Sequence, residues 1–164
     1  MSEPYQFEVI WQKWDEPLIE ELVQYWSIEN LIDPEEAAKR AKQVVVIVRN
    51  AEHAIVGLTS VEASLYEPFK NWFYFLRSSV SRRAGGNQLT IPLFNHTFAV
   101  LNDCFQQSSD TVIGIMAIIQ SQHLDKRLSE AVRPESGLIF AGYTAKGQQI
   151  RVRYFDDAVI NINL

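Results

Sequence analysis

The chain has 164 residues, 47% apolar and 21% charged, with a net charge of −5. That length predicts one domain, residues 1–164, with room for a substantial core. The acidic balance argues against global attraction to nucleic acid or to an anionic membrane surface. The single cysteine, Cys104, excludes an intrachain disulfide and a cysteine-based metal site. No signal-peptide pattern and no apolar run long enough to span a bilayer is seen, so the expected location is a reducing cytoplasm.

Tyr5–Trp11 alternates apolar and polar side chains, which predicts a half-buried strand. Glu16-Pro17 opens a helix in which Leu18, Leu22 and Tyr25 share a stripe with Ile19, Val23 and Trp26. Asp33-Pro34-Glu35-Glu36 opens a second, with Asp33 as cap, Pro34 in the first turn and the acids at the positive end of the dipole. That pattern runs to about Gln43 and carries Lys39, Arg40 and Lys42 late. Val44–Val48 is β-branched throughout and predicts a buried strand. Asn50–His53 reverses the chain, and Ile55–Tyr66 supplies the second arm of a hairpin.

After a turn at Glu67–Asn71, Trp72–Leu76 is a continuous aromatic and apolar run, suited to a strand covered on both faces. Polarity then jumps at Arg77, Ser78, Ser79, Ser81, Arg82 and Arg83, and Gly85-Gly86 gives the backbone freedom to turn or to approach a ligand. Phe94, Phe98, Leu101 and Phe105 follow at spacings of four, three and four, one face of a helix. Pro92 is tolerated only in a first turn, so the helix starts near Thr90, which can serve as its cap. Helix-start amides, preceding glycines and adjacent arginines together favour an anion, phosphate in particular.

Val112–Ile119 predicts another buried strand, and His123–Val132 has helical spacing at Leu124, Leu128 and Ala131/Val132. Arg133–Gly137 breaks that pattern. Leu138–Thr144 and Gln149–Phe155 flank Ala145–Gln148 as a hairpin, and Ala158–Leu164 reads as an edge strand or a tail. Arg151 and Arg153 alternate onto one strand face, where an acidic partner or water can meet them. The summed order, β-α-α-β-β-β-α-β-α-β-β, is that of an α+β (α/β) protein.

This order, with a strand leading into Arg82-Arg83-Ala84-Gly85-Gly86-Asn87 and then a helix, resembles the GNAT acyltransferase superfamily over nearly the whole chain. The loop is similar to that family's Arg-x-x-Gly-x-Gly/Ala segment, with Asn87 at the last position. Gly137–Phe140 and Gly142–Gly147 resemble the family's closing strand and hairpin. The resemblance implies a mixed, mostly antiparallel central sheet of about six to seven strands flanked by about four helices.

It also implies acetyl-CoA as co-substrate. Pantetheine would lie along Ser78, Ser79 and Val80, and pyrophosphate on the loop from Arg82 and Arg83 through Ala84, Gly85, Gly86 and Asn87 to Gln88. An amine attacking the thioester needs a base, a polarised carbonyl and a proton for the leaving thiolate. Glu62, mid-strand between Val61 and Ala63, is the candidate base, though a solvent-facing strand carboxylate reads the same way; Glu67 suits a turn better. The family often uses a tyrosine in the helix after the fifth strand. Gln122–Val132 has none, which leaves His123 and Tyr143 as candidate acids.

His53, His96 and Cys104 form no ligand-spaced cluster, so no metal is expected. Expected partners are an acyl-CoA and an amine acceptor, with a homodimer open. Two other readings stand beside the enzyme: a GNAT-like binding or structural module without activity, and an unrelated α+β dimerising domain.

Overall fold

In chain order the elements are β1 (Gln6–Val9), α1 (Glu16–Ile28), α2 (Pro34–Ala41), β2 (Val44–Arg49), β3 (Ile55–Tyr66), β4 (Asn71–Val80), α3 (Thr90–Ser108), β5 (Val112–Ile118), β6 (Ile139–Tyr143) and β7 (Gln149–Tyr154). The structure, a computed structural model, describes residues 5–29, 32–84, 87–108, 111–120 and 128–162. The strands form one mixed sheet in the order β1-β2-β3-β4-β5-β7-β6. β4 and β5 run parallel; β1–β2, β2–β3, β5–β7 and β6–β7 are antiparallel. The chain divides into two units, residues 1–61 with 77–100, and residues 62–76 with 101–164.

In the first unit, an aspartate caps the start of each helix, Asp33 as expected and Asp15 just ahead of the expected start at Glu16. Asp15 accepts from the Leu18 amide and Asp33 from the Glu36 amide, each at 2.9 Å, satisfying donors that a helix start leaves open. Leu22, Tyr25 and Trp26 of α1 and Ala37 and Ala41 of α2 pack with Val44, Ile47, Ile55 and Leu58 of β2 and β3. The two alanines lack bulk, which lets α2 lie close to that core. Arg49 holds Glu21 of α1 through two bonds of 2.5 and 2.9 Å and Glu8 of β1 at 3.0 Å. The bonds to Glu21 raise the guanidinium pKa above its usual value, against the opposing effect of burial, and those to Glu8 add to it.

On α3 the predicted stripe is buried at Phe94, Phe98 and Leu101, with Leu93 alongside. Gly57 of β3 shows why this packing is close. A Cβ there would lie 2.8 Å from Val48 Cγ1, 3.2 Å from the Ser79 carbonyl oxygen and 3.3 Å from Leu93 Cδ1. Thr97 and Thr59, both fully buried, share a 2.6 Å hydroxyl bond, and the Thr97 hydroxyl also bonds the Leu93 carbonyl at 2.7 Å.

In the second unit, Phe73, Ile113, Met116, Ile150 and Val152 form a core with Tyr66, Phe69 and Phe75 against it. The aromatic rings meet edge to face, as Phe69 does with Tyr66 at 5.0 Å. Gly114 permits the close pass of β5 and β7, since a Cβ there would lie 2.6 Å from the Arg153 carbonyl oxygen.

β4 extends past the apolar run Trp72–Leu76 through the polar residues to Val80, so Ser78–Val80 are strand positions. Several expectations need correction. Three α-helices are present among the described residues, against about four expected. Residues 121–127 of the fourth lie outside the described residues. Residues 128–130 are irregular, and Val132 forms an isolated bridge to Ile139.

Arg151 is not at a wet strand face as expected: it is 1% exposed and donates to the carbonyls of Leu128 at 3.1 Å and Glu130 at 2.8 Å. Gln149 donates to the Leu128 carbonyl as well, at 3.1 Å. Side chains of β7 thereby take carbonyls that a helix would have used. Arg153 is instead half-buried and bonds the Ser136 carbonyl at 2.7 Å, with burial lowering its pKa against the attraction of Asp156. Cys104 is exposed on α3, off the apolar stripe.

Candidate functional site

The stretch from Ser78 to Thr90 lies in the first unit and is pinned from several directions. Its root is Ser81, which is 1% exposed. The Ser81 amide donates to the Val56 carbonyl of β3 at 2.7 Å, and its hydroxyl donates to Glu29 Oε1, at the end of α1, at 2.7 Å. One step back, Ser79 Oγ lies 2.8 Å from the Tyr25 hydroxyl.

The spacing of this pair of contacts has a simple geometric basis. Four helical residues rise about 6 Å, and two strand residues about 6.6 Å. Tyr25 and Glu29 on α1 therefore match Ser79 and Ser81 rung for rung. Nothing in the sequence announced this ladder: Tyr25 reads as one more stripe residue, and the partners are 54 and 52 positions apart.

Beyond Ser81 the chain forms two short 3-10 turns, Arg82–Ala84 and Asn87–Leu89, and passes directly into α3 at Thr90. Thr90 is the first helical residue, and Pro92 falls in the first turn, where its missing N–H costs nothing. Ala84 and Leu89, each 5% exposed, are the buried feet of the loop. The Ala84 amide bonds the Ser81 carbonyl at 3.0 Å, and the Tyr5 hydroxyl donates to the Ala84 carbonyl at 3.0 Å. Arg82, ahead of the first foot, and Gln88, just ahead of the second, are exposed. The expected cofactor residues Ser78, Ser79, Val80, Arg82, Ala84 and Gln88 thus lie on one continuous strand-to-helix connection. Gly85 and Gly86 lie outside the described residues, as do the side chains of Arg83 and Asn87.

β4 and β5 pair from Trp72↔Val112 to Phe75↔Met116, with one register shift between Trp72 and Tyr74. β4 extends five residues beyond that register, to Val80.

The expected catalytic residues are placed separately. Glu62 is the first exposed position of β3, directly after seven buried residues, Ile55–Val61. Tyr143 ends β6, is 62% exposed and meets the Phe140 ring at 5.3 Å. His123 lies outside the described residues. Among the described residues no group of three or more His, Cys, Asp or Glu side chains is placed to hold a metal ion, and no helix is long and apolar enough to cross a membrane.

No protein-family model matches the chain, and no curated protein matches it by sequence. Solved structures do match. A ribosomal-protein-S5-alanine acetyltransferase from Vibrio fischeri superposes with a TM-score of 0.60 at 15% identity, covering 97% of each chain. A GNAT family N-acetyltransferase (YhbS) from Escherichia coli, solved with CoA, gives 0.59 at 11% identity, covering 96% of this chain and 84% of that one. The AtaTR complex bound with acetyl-CoA gives 0.57 at 15% identity, covering 94% and 95%. The fold is therefore that of the GNAT N-acetyltransferases.

Proposed function

We propose that the protein is an acyl-CoA-dependent N-acyltransferase, transferring an acetyl group from acetyl-CoA to an amine of a small molecule or a protein. The observation that carries this reading is the connection from β4 through Arg82–Leu89 into the first turn of α3, set in a fold whose solved examples include CoA and acetyl-CoA complexes. Amides of a turn and a helix start, with arginines beside them, suit a pyrophosphate. Strand residues Ser78–Val80, beyond the β5 register, suit the amide groups of pantetheine.

In the reaction the amine nitrogen attacks the thioester carbonyl carbon, a C–N bond forms, and the C–S bond breaks. The nitrogen sheds a proton and the thiolate takes one up. Glu62 is assigned the first proton, as general base, and Tyr143 or His123 the second. Holding amine and thioester in contact supplies much of the acceleration without either residue.

Calorimetry with acetyl-CoA, free CoA and desulfo-CoA tests the reading. Binding near micromolar, about −8 kcal/mol, followed by amine-dependent release of CoA thiol, is the expected result. Binding without release for any amine would favour the module without activity, and no binding at millimolar ligand would remove acyl-CoA from the account.

A further inference from the structure

Two tyrosines of the first unit hold the connection from β4 to α3, and they hold different parts of it. Tyr25 of α1 is 4% exposed and its ring belongs to the core, yet its hydroxyl lies 2.8 Å from Ser79 Oγ. Tyr5, the residue before β1, donates its hydroxyl to the Ala84 carbonyl at 3.0 Å. One contact grips the end of β4. The other grips the first foot of the loop.

These grips act on different chemistry. Along a strand, successive residues turn their main-chain groups to opposite sides. The Ser81 amide is turned to β3, where it meets the Val56 carbonyl at 2.7 Å. Ser79 therefore faces β3 as well, and Ser78 and Val80 turn their amides and carbonyls away from it. Those groups suit the amides of pantetheine, and Tyr25 fixes the residue between them.

The loop has another need. An anion is held by N–H groups and repelled by carbonyl oxygens. The Ser81 carbonyl accepts from the Ala84 amide at 3.0 Å, and the Ala84 carbonyl accepts from Tyr5. Tied in this way, the Ala84 oxygen is kept from turning toward a phosphate beside the exposed Arg82.

We propose that Tyr5 and Tyr25 are positioning residues that divide the cofactor between them. Tyr25, through Ser79, sets the strand end for pantetheine; Tyr5, through Ala84, sets the loop for the diphosphate. This division rests on the acyl-CoA reading. Neither tyrosine is assigned a contact with the ligand itself.

Calorimetry of the full chain with CoA and with 3′-phospho-ADP, which is CoA without its pantetheine, separates the halves. Tyr5→Phe should weaken both ligands by the same factor, about tenfold. Tyr25→Phe should weaken CoA about tenfold and leave 3′-phospho-ADP unchanged. Ser79→Ala removes the same bond from the half-buried strand side, with the core ring intact, and should reproduce Tyr25→Phe. In the double variant the two losses of CoA affinity should multiply, as independent sites do.

A purely structural role would instead weaken both ligands together in every variant, and that result overturns the division. So does CoA affinity unchanged in Tyr5→Phe, or unchanged in both Tyr25→Phe and Ser79→Ala. Where the wild type binds CoA, such failures leave the acyl-CoA reading standing. A wild type that binds neither ligand removes that reading and the division with it.

Discussion

The two ends of β4 are held by different physics. At Trp72–Phe75 the strand pairs with β5, and Phe73 is fully buried among the aromatic and aliphatic side chains of the second unit. At Arg77–Ser81 the strand turns polar, outruns the β5 register and is held by hydroxyl and main-chain bonds to Tyr25, Glu29 and Val56. Apolar packing is non-directional and rewards bulk. Polar pins cost desolvation but fix direction. The contrast teaches where to look for stability and where for ligand geometry along a single strand.

Substitutions can break this contrast. Phe73→Ala should have the largest effect, lowering unfolding free energy by about 3–5 kcal/mol in urea denaturation, while chains that remain folded keep their CoA affinity. Arg82→Ala with Gly85→Asp should do the reverse: about 100-fold weaker CoA binding, or ~2.7 kcal/mol, by calorimetry, with an unchanged thermal midpoint. Equal CoA affinity in that variant would refute the phosphate loop.

Thr97→Val should cost about 1–3 kcal/mol, because it leaves the buried Thr59 hydroxyl without its acceptor. Adding Thr59→Val should recover part of the loss, and a double-mutant cycle by denaturation reads the coupling. The smallest effect expected is that of Glu62→Gln, about tenfold in kcat near neutral pH, or ~1.4 kcal/mol. A rate unaltered across pH would remove Glu62 from the mechanism.

The apolar end of β4 was legible in the sequence because its signal is local. Five consecutive aromatic or apolar residues, Trp72–Leu76, define a strand whatever lies beside it. The cap Asp33, the β-branched run of β2 and the hairpin around Ala145–Gln148 are local in the same sense. The polar end was half legible. Its arginines and glycines mark an anion loop, but the jump in polarity at Arg77 does not by itself extend the strand, whereas neighbouring β3 keeps the backbone extended to Val80. Tertiary context overrides a weak strand propensity in this way.

The ladder of Tyr25 and Glu29 on Ser79 and Ser81 was not legible, since each partner has an ordinary local reading and only the fold brings them together. Arg151 was misread for a related reason. Period-two alternation gives a strand two faces but does not say which is wet, and Arg151 lies on the dry one, charge and all.

The strand order carries a consequence for synthesis. β6 is made before β7, yet in the sheet it pairs with β7, which separates it from β5. While the chain is being made from its N-terminal end, β5 therefore presents an open edge until Gln149–Tyr154 emerges from the ribosome. At roughly 5–20 residues per second, that interval lasts a few seconds. During it the apolar edge of β5 (Val112–Ile118) and the exposed Phe140 and Tyr143 of β6 stand where any passing strand could add to them. Chaperone occupancy on nascent chains of this protein should accordingly peak before residue 154 is exposed and fall once β7 closes the gap.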